Sequence, residues 1–369
     1  MHIPFCRQAC HYCDFHFSTN LKLKNDLFDC LLKEIILQKG YLKDEPIQSI
    51  YLGGGTPSLL STEQLKRLLA SIHDLHDVDP NTEVTIECNP DDIGADLLEA
   101  YHEIGINRIS LGVQTFDDKA LKFLNRVHDS SMAEQSIEMI QQSPIDNFSI
   151  DLIYAIPVNG MNQWKADLSK ALSFTPPHLS AYCLTIEEKT VFGNWLKNKK
   201  MEPIDDDLAA DQYEYLMETL MKEGYDHYEI SNFALPGNYS RHNINYWKHG
   251  KCLGIGPGAH SFDQDQRQFN VLNNPRYIEE IRSGKVPFEL MPMDRADRAN
   301  EYILTSLRTQ WGLDREHFQK LYQIDLVAEK DKLLTQLAGD GFIEISDRSI
   351  VLTTKGKLLA DQISSRLFI

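Results

Sequence analysis

The sequence predicts an α/β fold of repeated βα units, with a small, mainly helical, winged-helix-like module at its carboxyl end. Three observations carry this prediction. Apolar runs of strand length alternate with amphipathic stretches of helix length between residues 47 and 222, the pattern of βα units. Each apolar run leads into Gly, Pro, Asn or charged residues, and α/β barrels and open parallel sheets gather their chemistry at those carboxyl ends. Beyond about residue 295 the alternation gives way to three helical stretches, a short hairpin and a final helix, a helix-rich module with a two-strand wing.

The elements follow in order. A strand over 47–52 runs into Gly53, Gly54 and Gly55, and the helix 61–75 opens with Ser61 and Gln64, the spacing of a capping box. A strand over 84–88 stops at Asn89-Pro90, where proline has no N–H to extend a ladder. A helix over 92–104 and a strand over 108–113 come next, then helices near 119–124 and 133–142. The fourth strand, 148–154, is backed by a helix over 163–173, and the fifth, 178–184, precedes a long helix at 208–222. The pattern breaks near 235 at the turn Leu235-Pro236-Gly237-Asn238, and four glycines fall within 250–258. In the last module, strands 342–345 and 350–352 flank Ser346-Asp347-Arg348, and a helix starts at Thr354. These breaks divide the chain into a βα region at 1–235, a connecting segment at 236–294 and a carboxyl-terminal module at 295–369.

Composition excludes some functions. The 54 acidic residues outnumber the 37 basic ones, a formal charge of −17, which argues against nucleic-acid binding. The winged-helix-like module has no basic recognition helix, so a packing or partner role is expected of it. A hydrophobic content of 42% describes an ordinary globular core. No apolar run approaches the ~18 residues of a membrane span, and the amino terminus lacks the basic start and apolar stretch of a signal peptide. The cytoplasm is the expected compartment.

The cysteines are the sharpest signal. Of seven, Cys30, Cys88, Cys183 and Cys252 are scattered and read as buried or partly buried thiols. Cys6, Cys10 and Cys13 fall within eight residues, which in a reducing compartment reads as metal ligation. A tetrahedral zinc needs a fourth ligand, which His2, His11 or His16 would offer. An iron–sulfur cube wants four ligands, so three cysteines leave one iron open to a small molecule. Spacing alone leaves both readings open.

Other residues have bland and functional readings side by side. Gly53-Gly54-Gly55-Thr56-Pro57 is either a tight βα turn or a place where backbone approaches a ligand; it is not a Walker loop. Glu87, at a strand's carboxyl end, suits an ammonium or ribose hydroxyl, or an ordinary ion pair. Gln114 ends a strand, Arg126 lies in 124–128, and Asp151 sits inside the apolar run 149–154. An acid there needs a partner, for which Arg126 is available. His242, close to Tyr246 and Trp247, combines an imidazole that can ligate iron with rings that can pack on a porphyrin. Its alternative is a loop histidine bonded to backbone, and His249 and His260 are alternative ligands.

The Cys-x3-Cys-x2-Cys spacing, with Tyr12 just before the third cysteine, resembles the radical S-adenosylmethionine (SAM) superfamily. The resemblance implies a partial (βα)6 TIM-like barrel and a 4Fe–4S cluster on Cys6, Cys10 and Cys13. It also implies SAM on the open iron, cleaved on reduction to a deoxyadenosyl radical. The spacings through Thr56, Glu87, Gln114, Arg126 and Asp151 resemble the oxygen-independent coproporphyrinogen oxidase branch. That likeness implies SAM contacts at these positions together with Tyr12, Gly54 and Gly55.

Within the branch, Phe15 stands where coproporphyrinogen dehydrogenases carry a further cysteine. Arg241-His242-Asn243-Ile244-Asn245-Tyr246-Trp247 resembles the His-Asn-x-x-Tyr-Trp signature of the haem chaperone (HemW) subgroup, and 178–182, 254–261 and 352–356 are similar to it as well. The implied function is haem binding near His242, with His260 near the second SAM or substrate pocket, and delivery to an apo-haemoprotein. SAM would then trigger transfer or act as a structural cofactor. Two other functions are weighed. Oxidative decarboxylation of coproporphyrinogen III is disfavoured by Phe15 and the His242 signature, and a zinc-bound interaction protein is the third. One departure concerns the start. Members of the family show Tyr-x-His-x-Pro-Phe-Cys, whereas here Met1 fills the intervening position and the tyrosine is absent. The first strand is cut to about three residues, which would leave a neighbouring edge bare, so the expected start of the protein lies upstream of Met1.

Overall fold

The computed structural model describes residues 1–43 and 45–369. Six parallel strands follow one another in chain order: β1 (His2–Ile3), β2 (Ile47–Gly54), β3 (Val78–Cys88), β4 (Arg108–Gln114), β5 (Phe148–Tyr154) and β6 (His178–Cys183). A hairpin of β7 (Asp226–Glu229) and β8 (Asn232–Ala234) joins β6 antiparallel, in the order β6-β8-β7. This is the expected α/β architecture, a partial (βα)6 barrel.

The alternation of side chains along parallel strands explains what the sheet presents on each face. Ile50 and Leu52, Val84 and Ile86, Ile109, Leu111 and Val113, and Ile150 and Leu152 are buried under the helices. The opposite face carries Tyr51, Glu87, Ser110, Gln114, Asp151 and Tyr182. Register brings Glu87 beside Ser110, Ser110 beside Ser149, and Asp151 beside Ser180. A polar row therefore runs across an otherwise apolar sheet.

The helices of this region are α1 (Lys24–Leu37), α2 (Thr62–Leu75), α3 (Ala95–Glu103), α4 (Asp118–Phe123), α5 (Ser130–Gln141), α6 (Met161–Ser173), α7 (Val191–Lys197) and α8 (Asp206–Lys222). The capping box of α2 is formed: Gln64 N–H donates to Ser61 Oγ at 3.2 Å, and Ser61 N–H to Gln64 Oε1 at 3.0 Å.

Beyond β8 the chain holds more structure than its glycines suggest. It forms α9 (Arg241–Trp247) and an antiparallel sheet in the order β11-β10-β9, from β9 (His260–Phe262), β10 (Gln266–Asn270) and β11 (Phe288–Pro292), with α10 (Asn274–Arg282) between the last two. Ile255, Tyr277, Ile278 and Ile281 share the barrel's hydrophobic core. Buried Glu34 of α1 fastens this segment, accepting Gly256 N–H at 2.7 Å, Asn270 Nδ2 at 2.6 Å and the Tyr277 hydroxyl.

The carboxyl-terminal part comprises α11 (Arg295–Leu307), β12 (Leu313–Asp314), α12 (Arg315–Tyr322), α13 (Leu326–Glu329), α14 (Asp331–Gly339), β13 (Ile343–Ile345), β14 (Ser349–Leu352), α15 (Thr354–Lys357) and α16 (Ala360–Leu367). The expected hairpin gains a third strand, β12, two residues long and so without a periodic signature. This part packs its own core and meets the barrel at β7, where Ile230 N–H donates to Arg308 O at 3.0 Å. Among the described residues no helix is long and apolar enough to cross a membrane.

Candidate functional site

The polar row opens into a cavity of about 610 Å³ at the carboxyl ends of the parallel strands. Cys6, Cys10, Cys13, Tyr12, Gly54, Gly55, Thr56, Glu87, Gln114, Arg126 and Asp151 all line it. Residues spread over 145 positions of sequence are thus brought to one wall by the strand order.

The cysteine loop leaves β1 and is clamped at both ends. Cys6 N–H donates to Ser18 O at 3.1 Å, Ser18 N–H to Pro4 O at 2.9 Å, and Thr56 N–H to Phe5 O at 2.7 Å. Gly54 permits this closure. Its φ of +100° lies in the left-handed region, and a Cβ there would sit 1.7 Å from the His2 ring. A Cβ on Gly55 would meet Ile3 O at 2.6 Å. The close approach these glycines allow is to the chain's own first strand.

None of His2, His11 and His16 lines the cysteine cavity. His2 Nδ1 is held by Pro257 O at 2.5 Å, His11 Nδ1 by Phe123 O at 2.9 Å, and His16 Nε2 by Asn274 Oδ1 at 2.8 Å. Cys6, Cys10 and Cys13 line one open cavity, with room for a multi-iron cluster rather than a single ion. Burial pushes the thiols of Cys6 and Cys13 upward, Cys13 to about 11, so ligation there releases protons.

Arg126 reaches the thiols from the end of β4's following helix. Its Nη1 donates to Cys10 Sγ at 3.4 Å, and its Nη2 to Asn89 Oδ1 at 2.6 Å and Gly112 O at 2.9 Å. Its buried Nε has no partner among the described residues. The expected pairing of Arg126 with Asp151 does not form. Asp151 instead accepts Ser110 Oγ at 2.6 Å and Ser149 Oγ at 3.0 Å, and burial holds its carboxyl above the ordinary range. Hydroxyls on its own strand and on neighbouring β4 satisfy it without a countercharge. Glu87 is likewise raised by burial, and accepts the Tyr51 hydroxyl at 2.8 Å and Gly54 N–H at 2.9 Å. Gln114 ends β4 at a φ of +71°, a strained position of the kind found at binding sites.

A second cavity of about 780 Å³ adjoins the first and is lined by His242 and His260, among others. His242 lies on α9, a helix where a loop is the alternative expectation. Its ring stacks on Tyr51 at 4.6 Å and 22°, and its Nδ1 lies 3.1 Å from Ser49 Oγ. Nε2 has no hydrogen-bond partner among the described residues. Burial lowers its pKa to about 4, so the imidazole is neutral at pH 7 with a lone pair to offer. His249 is taken up elsewhere: it bonds Thr305 Oγ1 at 2.5 Å and stacks on Tyr302. Tyr246 and Trp247, expected to pack on a ring, do not line the cavity; Trp247 meets the Arg308 guanidinium at 5.4 Å.

Two further residues shape the site without a motif of their own. Buried Glu83 of β3 accepts His242 N–H at 3.0 Å and Arg241 N–H at 3.1 Å, fixing the start of α9 to the sheet. Its only signal was an acid within an apolar strand. Tyr51 lines both cavities, and nothing in the run around it marks that role.

Comparison with known proteins gives the chain its relatives. Residues 1–171 match the radical SAM superfamily, and residues 293–359 match the HemN C-terminal domain. Heme chaperone HemW of Lactococcus lactis is 33% identical, over 100% of this chain and 96% of that protein. Heme chaperone HemW of Bacillus subtilis is 33% identical, over 98% and 97%, and that of Escherichia coli 37%, over 70% and 68%. Among solved structures, coproporphyrinogen III oxidase (HemN) from Escherichia coli superposes with a TM-score of 0.85, covering 100% of this chain and 88% of that one at 23% identity, a likeness of fold. The three-cysteine loop on a partial barrel and the full-length kinship place the chain in the radical SAM superfamily and, within it, in the haem chaperone HemW family.

Proposed function

We propose that the chain is a haem chaperone. It takes up haem in the 780 Å³ cavity, holds it through His242, and passes it to an apo-haemoprotein. A 4Fe–4S cluster on Cys6, Cys10 and Cys13, with SAM, belongs in the adjoining cavity. The observation that carries this reading is the neutral His242 ring with a free Nε2 on a cavity that shares a wall with the cysteine cavity.

When bound, the cluster supplies an open iron for SAM and an electron for its cleavage. The chain's residues position the rest. Arg126 places a cation beside Cys10, and its unpartnered Nε can take a carboxylate oxygen. Glu87 suits the ammonium or a ribose hydroxyl. Asp151 with Ser110, Gln114, Tyr12 and the Gly54-Gly55-Thr56 turn complete the SAM side, and His260 lines the haem side. Phe15, 72% exposed, lies at the lip of both cavities.

Haem-loaded, cluster-reconstituted protein incubated anaerobically with an apo-haemoprotein tests this reading. The acceptor should gain its haem spectrum, while coproporphyrinogen III with SAM and a reductant stays unchanged. Formation of protoporphyrinogen would instead support oxidative decarboxylation.

A further inference from the structure

Tyr51 lines both cavities and touches a key residue of each. Its hydroxyl donates to Glu87 Oε1 at 2.8 Å on the cysteine side. Its ring stacks on His242 at 4.6 Å and 22° on the other. The ring has little room to move: a Cβ on Gly53 would lie 2.7 Å from Tyr51 Cε1. His242 is held on its other flanks by Ser49 Oγ and, through its backbone, by Glu83. Tyr51 is therefore the shared wall between the Glu87 carboxylate and the His242 imidazole.

We infer that Tyr51 is a positioning residue that makes haem binding at His242 depend on whether a cationic ligand, SAM, occupies Glu87. A ligand ammonium at Glu87 favours its ionised carboxylate. The Tyr51 hydroxyl then donates to a full negative charge, and such bonds are shorter and about twice as strong as neutral ones. The tighter bond holds the ring in its stacked position and the His242 Nε2 in one direction. Ordering a ligand-binding group before the ligand arrives raises affinity. Coupling between sites is reciprocal, so haem should tighten SAM binding by the same factor.

The inference rests on His242 as the haem ligand, and the experiment separates the two. Cluster-loaded protein is titrated anaerobically with haem, with and without saturating SAM, following the Soret band. Wild type should bind haem about fivefold or more tightly with SAM. Tyr51→Phe keeps the stacked ring and lacks the hydroxyl, so its ratio should fall to about one. Tyr51→Leu removes the stacking face and should also shift the Soret maximum without SAM. A wild-type ratio of one, a Tyr51→Phe ratio equal to wild type, or a Tyr51→Leu spectrum identical to wild type overturns the role of Tyr51 alone. Haem binding that ignores His242→Ala overturns the haem-site reading beneath it.

Discussion

The carboxylate of Glu83 accepts the backbone N–H of His242 at 3.0 Å, so the candidate haem ligand is anchored to the barrel sheet by main chain as well as by its ring. The same carboxylate takes Arg241 N–H at 3.1 Å and lies 3.4 Å from Ser240 Oγ. An acid at a helix start satisfies donors that have no partner within the helix. Glu83→Leu should leave these part-buried donors unpaired at about 1–3 kcal/mol for each, seen as a lower urea midpoint. Haem affinity should fall with it, because α9 loses its anchor. An unchanged midpoint and unchanged affinity would remove Glu83 from the account.

Gly54 and Gly105 provide a matched pair. Both have φ near +100° or +90°, but a Cβ on Gly54 would collide with the His2 ring whereas one on Gly105 would meet nothing within 4 Å. Gly105→Ala should cost only the backbone strain, roughly 1–2 kcal/mol. Gly54→Ala adds overpacking, for a total on the order of 3–5 kcal/mol, and should displace the cysteine loop. Thermal unfolding and the iron–sulfur absorbance after reconstitution check both. Equal losses would mean the β1–β2 contact is not what Gly54 serves.

Arg126→Lys should weaken the cysteine site without unfolding the barrel. Lysine keeps the charge but cannot span Cys10, Asn89 and Gly112 together. SAM affinity should drop by about tenfold or more, with haem uptake less affected. Equilibrium dialysis with labelled SAM reads this directly, and wild-type affinity in the variant would contradict the assignment.

Stability should carry a pH signature at the junction of barrel and carboxyl-terminal part. Glu229 of β7 is buried, and burial raises its pKa from 4.5 to about 7. A raised carboxyl pKa means the unfolded chain ionises first. Its contribution to stability is therefore present below pH 4.5 and lost as pH rises to about 7. Glu229→Gln removes this loss, so the stability of the variant relative to wild type should climb across pH 4.5–7, by on the order of 2–3 kcal/mol. Buried histidines titrate in both proteins and cancel in the difference. A difference independent of pH would show that Glu229 does not titrate as described.

The parts legible in the sequence were those with a local period or spacing. Strands 108–113 and 148–154 read directly because helices cover one face and alternate residues are apolar. The cysteine loop stands out because its three thiols are neighbours in the chain. What stayed hidden depends on contacts between distant segments. Nothing near Glu83 announces that it will meet residues 240–242, and nothing near Tyr51 announces Glu87 and His242. The pairing of Asp151 with Arg126 does not form because Ser149 on the same strand and Ser110, placed beside it by register, satisfy the acid first. Segment 236–294 looked loose because α9, β9, β10 and β11 are each too short to show a period. Tyr246 and Trp247 looked like porphyrin contacts because the spacing shows that rings are near His242 but not which side of a helix faces the cavity.

The central claim is that His242 holds haem. Anaerobic titration of cluster-loaded wild type and His242→Ala with haem, read in the Soret region, tests it most directly. Wild type should show a saturable Soret band, and His242→Ala a shifted band with affinity weaker by at least about tenfold. Identical spectra and affinities in the two proteins would contradict it.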